Sequence, residues 1–380
     1  MESDEAVQVN ICTVGIPPLR TRRVGEGFMG DYQDYTIGID ENRFSGMRQR
    51  AREALARLIG GVDADEIAIT KNTTEGVCIL ASGYPLGPGD NVVTCDMENQ
   101  SNLFPWFNNS IIRGYEVRVA KTSGGRISAR ELEALVDGGT KIVSISAVQA
   151  GTGYFADLAA ISEVCRRHGA ILAVDAIQAL GRMRIDAPAL GIDYLSCGGF
   201  KGLLSGFGVG FLWCKSEILG RLAPPYVGFQ SAVPYMSPPA VTPGIEGFRL
   251  VDGMNRIEAG TYNMHGVALM ESSVGLILQL GPEAIEEHIL GLEGYLRQKL
   301  STCGLEVLTP ESEARRSGIV IMYYPKEGRE AALEILGKHR IRLTHRPGYM
   351  RLAIGIYNTE SDMDKVARAM EEVGKAVVRG

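Results

Sequence analysis

An α/β chain, built on a mostly parallel sheet with a smaller α+β unit at its end, is the fold class this sequence predicts. Three observations carry it. Short apolar runs at 67–70, 91–94, 115–120, 141–147, 171–174 and 192–197 alternate with helical patterns at 73–80, 127–136 and 158–168; repeated strand–helix units pack as parallel strands joined by right-handed crossovers. Beyond Trp213 the alternation loosens, and segments at 319–323, 329–338, 341–344 and 351–356, with a helix from 362, describe a compact second unit. The length, 380 residues, exceeds one average domain.

In chain order, residues 1–23 contain Gly15-Ile16-Pro17-Pro18 and read as an irregular N-terminal arm. A helix follows over 47–58, and 24–255 form the large domain. Within it, 224–243 is rich in Pro, Gly and Ser and reads as a long loop near the active site. A polar run from Arg256 to Asn263 leads into a long helix over 265–280, more helix follows to 303, and 256–380 form the small C-terminal domain. No GxGxxG follows a strand, so the usual dinucleotide-binding fold is disfavoured.

The chain is 45% hydrophobic and 22% charged, ordinary for a soluble enzyme. Its net charge of −6 and lack of a Lys/Arg run argue against nucleic acid. The start, MESDEAVQVN, lacks the apolar core of a signal peptide, and no stretch approaches the roughly 20 apolar residues of a membrane span. Seven scattered cysteines without a CxxC pair offer neither a metal site nor a disulfide framework; a reduced, cytoplasmic setting is the expectation.

Asp175 closes the 171–174 run, and Lys201 follows the 192–197 run in a Gly-rich turn. Functional groups of open α/β sheets collect beyond the carboxyl ends of strands, so these two can face one crevice. A lysine in a partly dry pocket loses its proton and forms Schiff bases. Pyridoxal 5′-phosphate (PLP) needs such a lysine, and a carboxylate to keep its pyridine nitrogen protonated. The same spacing suits a helix-capping Asp and a solvated Lys. Thr73-Thr74-Glu75-Gly76 opens a helix whose N–H groups and hydroxyls suit an anion, or is simply an N-cap.

Five separated motifs then line up: TTEGV at 73–77, VDAIQALG at 174–181, GGFKGLLSGFGVGFL at 198–212, EAGTYN at 258–263 and MRLAIGIYNTESDMDKV at 350–366. In this order the chain resembles, over nearly its whole length, the class V aminotransferase family of fold-type I PLP enzymes. That family includes cysteine desulfurases, selenocysteine lyases, isopenicillin N epimerases and C–S lyases. The resemblance implies a seven-stranded large domain with PLP as cofactor. It makes Lys201 the Schiff-base lysine and proton shuttle at Cα, with Asp175 on the pyridinium nitrogen and Gln178 on the phenolate oxygen. Thr73, Thr74 and Ser196 would hold the phosphate. Gly260 and Thr261 would reach a partner's phosphate in a homodimer with shared sites. Arg351 would grip the substrate carboxylate, a task that suits a planar guanidinium. Thr152 falls where relatives place a polar group near the cofactor. His345 and Arg346 can face substrate, or lie on a surface turn.

The departures from the family bear on reaction type. Where desulfurases carry a ring-stacking histidine after a glutamate, this chain has Asn99, which cannot act as an acid or base. Phe104 and Trp106 can offer an aromatic face, though both suit the core better. Phe200 replaces the usual histidine before the lysine, as in the epimerase-like branch. The stretch before Arg351, IRLTHRPGYMR, is short and free of cysteine, whereas persulfide chemistry needs a thiolate. The expectation is therefore a PLP-dependent C–S lyase that eliminates the β-substituent of an S-substituted L-cysteine in a biosynthetic or secondary-metabolic pathway. The alternatives are decarboxylative deamination of a cysteine S-conjugate, as in lincosamide-type antibiotic pathways, epimerisation or transamination, and a non-catalytic scaffold.

Overall fold

The computed structural model describes residues 6–34, 41–233, 245–308, 310 and 312–378; residues 234–243 of the expected long loop lie outside them. Seven strands form the central sheet in the spatial order Ile67–Thr70, Gly210–Cys214, Tyr194–Gly198, Ile171–Asp175, Thr140–Ser146, Asn91–Cys95 and Glu116–Ala120. Six run in one direction, and Gly210–Cys214 alone is antiparallel to both neighbours. Segments such as Ile171–Asp175 and Asn91–Cys95 are buried along their whole length, the pattern of strands covered on both faces.

The sequence pattern does not mark Gly210–Cys214 as a strand, because a Gly-rich turn runs into it. Those glycines serve close approach: a Cβ at Gly210 would sit 2.7 Å from the Cys197 carbonyl oxygen. Two helices are also unmarked. Gln100–Arg113 contains Pro105, which normally signals a break, and Leu19–Gln33 lies across the boundary drawn for the arm. The expected helix over 127–136 is only one short segment, Ala129–Glu133, opened by a Ser128/Glu131 capping box.

The arm is a correction. From residue 6 onward it is built into the C-terminal unit: Val7–Gln8 pairs in parallel with Ile341–Arg342, and the Ala353 amide donates to the Val9 carbonyl at 2.8 Å. The C-terminal unit has an antiparallel sheet in the order Glu306–Val307, Ile319–Tyr323, Tyr349–Ala353, Thr344–Arg346. The helix Met264–Leu280 packs on Leu19–Gln33 and Glu41–Leu58, whereas Pro282–Leu300, after a break at Gly281 (φ +88°), packs on Glu360–Val378. Packing thus changes hands near Gly281 rather than at 256.

Arg182 ties the two units together. Its guanidinium is fully buried and donates to three carbonyls: Gln178 at 3.0 Å, Ile354 at 3.0 Å and Ser317 at 2.6 Å. A buried guanidinium must satisfy its donors, and here it does so by joining Gln178 to the end of the Tyr349–Ala353 strand.

Candidate active site

Because six strands share one direction, their carboxyl ends lie along one edge of the sheet. Five of the segments that follow them converge there: Asn72–Thr74, Glu98–Asn99, Val148–Ala150, Ile177–Gln178 and Phe200–Lys201. They enclose a cavity of about 260 Å³ whose lining includes Thr73, Thr74, Asn99, Asp175, Gln178 and Lys201.

Asp175 is 3% exposed, and its Oδ1 accepts from the Ile177 amide at 2.9 Å. Burial pushes its carboxyl up to about 7; the Ile177 hydrogen bond and Lys201 pull it back, while Glu98 adds to the rise. Burial lowers the Lys201 amine, against the raising pull of Asp175. These opposite shifts share one cause, the dry cavity, which disfavours the charged form of each group. An amine so shifted is a better nucleophile toward an aldehyde, and a carboxyl so placed has room for a cation.

At the other end, the helix Thr73–Gly83 points its N-terminus at the cavity. Asn72 is its N-cap, with Oδ1 accepting from the Glu75 amide at 2.9 Å, so the two threonines are free of that task. The Thr73 hydroxyl accepts from the Gly198 amide at 2.9 Å, and Thr74 lines the cavity. The first turn leaves amides without intrahelical acceptors, a ready anion site. Ser196 does not line the cavity. Its hydroxyl donates to the Thr73 carbonyl at 3.0 Å and braces the helix, an approach open only because residue 76 is glycine: a Cβ there would lie 2.1 Å from Ser196 Oγ.

Gln178 donates to the Cys12 carbonyl at 3.2 Å, and its Oε1 is buried without a partner among the described residues. Asn99 lines the cavity while its Oδ1 caps Gln100–Arg113 by accepting from the Ser101 amide. Trp106 is buried in the core, donating to Ser144, and Phe104 is exposed; neither lines the cavity, where Phe200 supplies the aromatic ring. Thr152 lies outside the cavity, packed against Gly125 in its turn. Beneath Asn99, the Glu98 carboxylate accepts from the Ser146 amide (2.7 Å), the Ser146 hydroxyl (2.5 Å), Gln149 (2.6 Å) and Asn102 (2.8 Å). Sequence reading passed over this buried acid, although its place beside Asn99 was a signal.

The rim is built from three distant segments. Arg351 donates to the Ala150 carbonyl at 2.9 Å, to Thr344 at 3.2 Å and to Thr13 at 3.4 Å. All are neutral acceptors, its Nε has none, and no carboxylate pairs with it among the described residues. The Thr13 and Thr344 hydroxyls lie 3.0 Å apart and each donates to Asn10 Oδ1, at 2.9 and 2.7 Å. Gly15 lets the arm cross the site, for a Cβ there would lie 2.2 Å from the Lys201 carbonyl oxygen. His345 turns away and bonds the Tyr324 hydroxyl; Arg346 is exposed.

Gly260 and Thr261 lie elsewhere. They line a separate hollow of about 670 Å³ that shares only Asn72 with the first. Their segment is anchored by Glu258, which is 4% exposed and takes Arg52 at 2.8 Å, Arg48 at 3.0 Å and the Ile69 amide at 2.6 Å.

A doubly covered seven-stranded sheet with an Asp and a Lys at adjacent strand ends defines an α/β enzyme of the PLP type. The chain belongs to the aminotransferase class-V family, whose profile aligns over residues 40–366. It is 29% identical over 348 residues to a probable cysteine desulfurase of Methanothermobacter thermautotrophicus, covering 86% of this chain and 83% of that one. It is 25% identical over 349 residues to a cysteine desulfurase of Yersinia pestis, covering 86% and 82%. Among solved structures it shares its fold with an apo cysteine desulfurase from Thermococcus onnurineus (TM-score 0.87, 22% identity, 98% and 95% covered). It also shares it with the cystine C-S lyase C-DES in complex with cysteine persulfide (TM-score 0.86, 23% identity, 97% and 98% covered).

PLP is the cofactor of this family, and the cavity suits it by its own chemistry: a buried carboxyl that lacks a cation, an amine lowered by burial, a helix N-terminus and a buried amide with one end unsatisfied. The chain is thus a PLP-dependent enzyme. Among the described residues no cluster of His, Cys, Asp or Glu could hold a metal ion, and no helix is long and apolar enough to cross a membrane.

Proposed function

We propose that this enzyme is a C–S lyase that eliminates the β-substituent of an S-substituted L-cysteine. The observation that carries the reading is the segment before Arg351. Arg346 pairs with Tyr349 across a two-residue turn, Pro347-Gly348, with Gly348 at φ +77°. A turn this tight offers no loop on which a nucleophilic cysteine could travel to the substrate. Six of the seven thiols are poor candidates as well: burial pushes those of Cys78, Cys95, Cys165, Cys197, Cys214 and Cys303 upward, and a thiol kept protonated is not the nucleophile.

When bound, PLP supplies the electron sink that stabilises negative charge at the amino-acid Cα. Asp175 would hold the proton on the pyridine nitrogen. Thr73, Thr74 and the amides of their helix turn would receive the phosphate, and Gln178 and Asn99, which line the same cavity, would offer the cofactor their amides. Arg351, free of any carboxylate partner, takes the α-carboxylate and so fixes which Cα bond faces Lys201. The neutral Lys201 amine removes the Cα proton. The electron pair left behind forms the Cα–Cβ double bond as the C–S bond breaks and sulfur leaves with its pair as a thiolate. Addition of water then yields pyruvate and ammonia, so one conjugate and one water give thiol, pyruvate and ammonia. No second nucleophile is required. We further infer a homodimer in which the partner's Gly260–Thr261 segment completes the phosphate end, since in a single chain these residues face a different hollow.

The test is product analysis after incubation with a panel of S-substituted cysteines. Equimolar pyruvate and thiol, lost in Lys201→Ala, supports elimination. An aldehyde that has lost carbon dioxide and nitrogen would replace it with decarboxylative deamination, and unchanged mass with solvent deuterium at Cα would replace it with epimerisation.

A further inference from the structure

The antiparallel sheet of the C-terminal unit has two unlike faces. Strand register sets Thr344 opposite Arg351, His345 opposite Met350 and Arg346 opposite Tyr349, with Ile321 and Tyr323 opposite Arg351 and Tyr349 on the other side. Residues directly opposed share a face, and faces alternate along each strand. Met350 and Leu352 are fully buried on one face, and His345 lies there too, bonded to Tyr324. The other face carries Thr344, Arg346, Tyr349, Arg351 and Tyr323. It begins at the Arg351 rim and ends in solvent, with Tyr323 37% exposed.

Arg346 closes this strip. It sits on the neighbouring strand two residue pairs from Arg351, a diagonal neighbour at about 7–8 Å. Its backbone is fixed by the Pro347-Gly348 turn and by a hydrogen bond of 3.0 Å from the Tyr324 hydroxyl to its carbonyl. Its guanidinium is exposed and pairs with no carboxylate among the described residues. The rings of Tyr349 and Tyr323 pack edge to face at 5.7 Å, with Tyr349 on the central strand between Tyr323 and Arg346. Both guanidiniums act on the Tyr349 hydroxyl, offsetting part of the rise that burial causes, so the three groups share one electrostatic neighbourhood.

We propose that Arg346, with Tyr349 and Tyr323, forms a second anion-binding subsite that receives a carboxylate at the far end of the S-substituent. The substrate class is then a cysteine S-conjugate with two acidic ends: the α-carboxylate on Arg351, and a second carboxylate a few bonds beyond sulfur on Arg346. The inference rests on the C–S lyase reading. Discrimination arises because an anion at the second position gains a guanidinium partner, whereas a neutral isostere leaves that cation in water. His345 takes no part, since it belongs to the opposite face.

The test separates the two ideas. The probes are the analogues of S-carboxyethyl-L-cysteine and S-carbamoylethyl-L-cysteine in which a methylene replaces sulfur, so neither can be eliminated. Their binding to the holoenzyme is measured by titration calorimetry at low and high salt. The acid binds about fivefold tighter than the amide at low salt, the margin shrinks at high salt, and Arg346→Gln abolishes it. Equal binding of acid and amide to the wild type overturns the subsite, as does a preference that survives in Arg346→Gln. If neither analogue binds, the lyase reading fails and the subsite falls with it. Arg346→Gln alters an exposed side chain, so loss of fold does not confuse the result.

Discussion

The floor of the site and its rim are built on different principles. The floor, with Asp175, Lys201 and the Thr73 helix, stands at the carboxyl ends of three strands of one sheet, two of them adjacent, where register sets each side chain's place. The rim, with Arg351, Thr13 and Thr344, is assembled from the first and last parts of the chain and reaches the floor through Ala150, Gly15, Arg182 and the Cys12 carbonyl that holds Gln178. The floor makes chemistry possible at any amino acid; the rim decides which amino acid. A family can hold the first constant and change the second, and here the strand carrying Arg351 follows a two-residue turn, Pro347-Gly348.

The contrast can be broken at the floor with the largest effect. On the proposed mechanism Lys201→Ala removes both the Schiff-base amine and the Cα base, and pyruvate release should fall by about 10³-fold or more. The join between floor and rim comes next. Arg182→Ala leaves three buried carbonyls without donors, at about 1 kcal/mol each, so unfolding in denaturant should show a loss of about 3 kcal/mol with KM raised as well. In the cofactor-free protein Asp175 opposes stability. Its raised pKa means the native state keeps a proton that the unfolded chain releases, so its contribution is most favourable below about pH 4 and is lost as pH rises toward 7. Asp175→Asn should therefore gain on the wild type between pH 5 and pH 8, by an amount of order 2–4 kcal/mol in thermal unfolding, while losing activity when loaded with PLP. Glu293, also buried and pushed up to about 7, contributes the same slope to both proteins and cancels. At the rim, Arg351→Ala should cost about 1.5–3 kcal/mol in kcat/KM, chiefly through KM, with Arg351→Lys recovering part of it.

The same division explains what was legible in the sequence. Asp175 and Lys201 stood out because each follows an apolar run of strand length, and the sheet brings adjacent strand ends together. Thr73 and Thr74 were legible as a helix start, yet the cap proved to be Asn72, and Ser196 was turned to the wrong partner because its face depends on register. Nothing local shows that Val7–Gln8 pairs with Ile341–Arg342, since a two-residue strand has no periodicity of its own. Gln100–Arg113 was hidden by Pro105. Thr152 and His345 sat in suggestive motifs, but turn geometry and strand alternation sent both side chains elsewhere.

Cys12 is the sharpest challenge to a lyase without a thiol. It is buried on the arm, its carbonyl holds Gln178, and it lies within electrostatic reach of Lys201. The deciding measurement is the yield of pyruvate against alanine from an S-substituted cysteine, in the wild type and in Cys12→Ser. Elimination predicts pyruvate with free thiol, no alanine, and an unchanged rate in the variant. Alanine formed with the thiol group held on the protein as a mixed disulfide, and lost in Cys12→Ser, would contradict it.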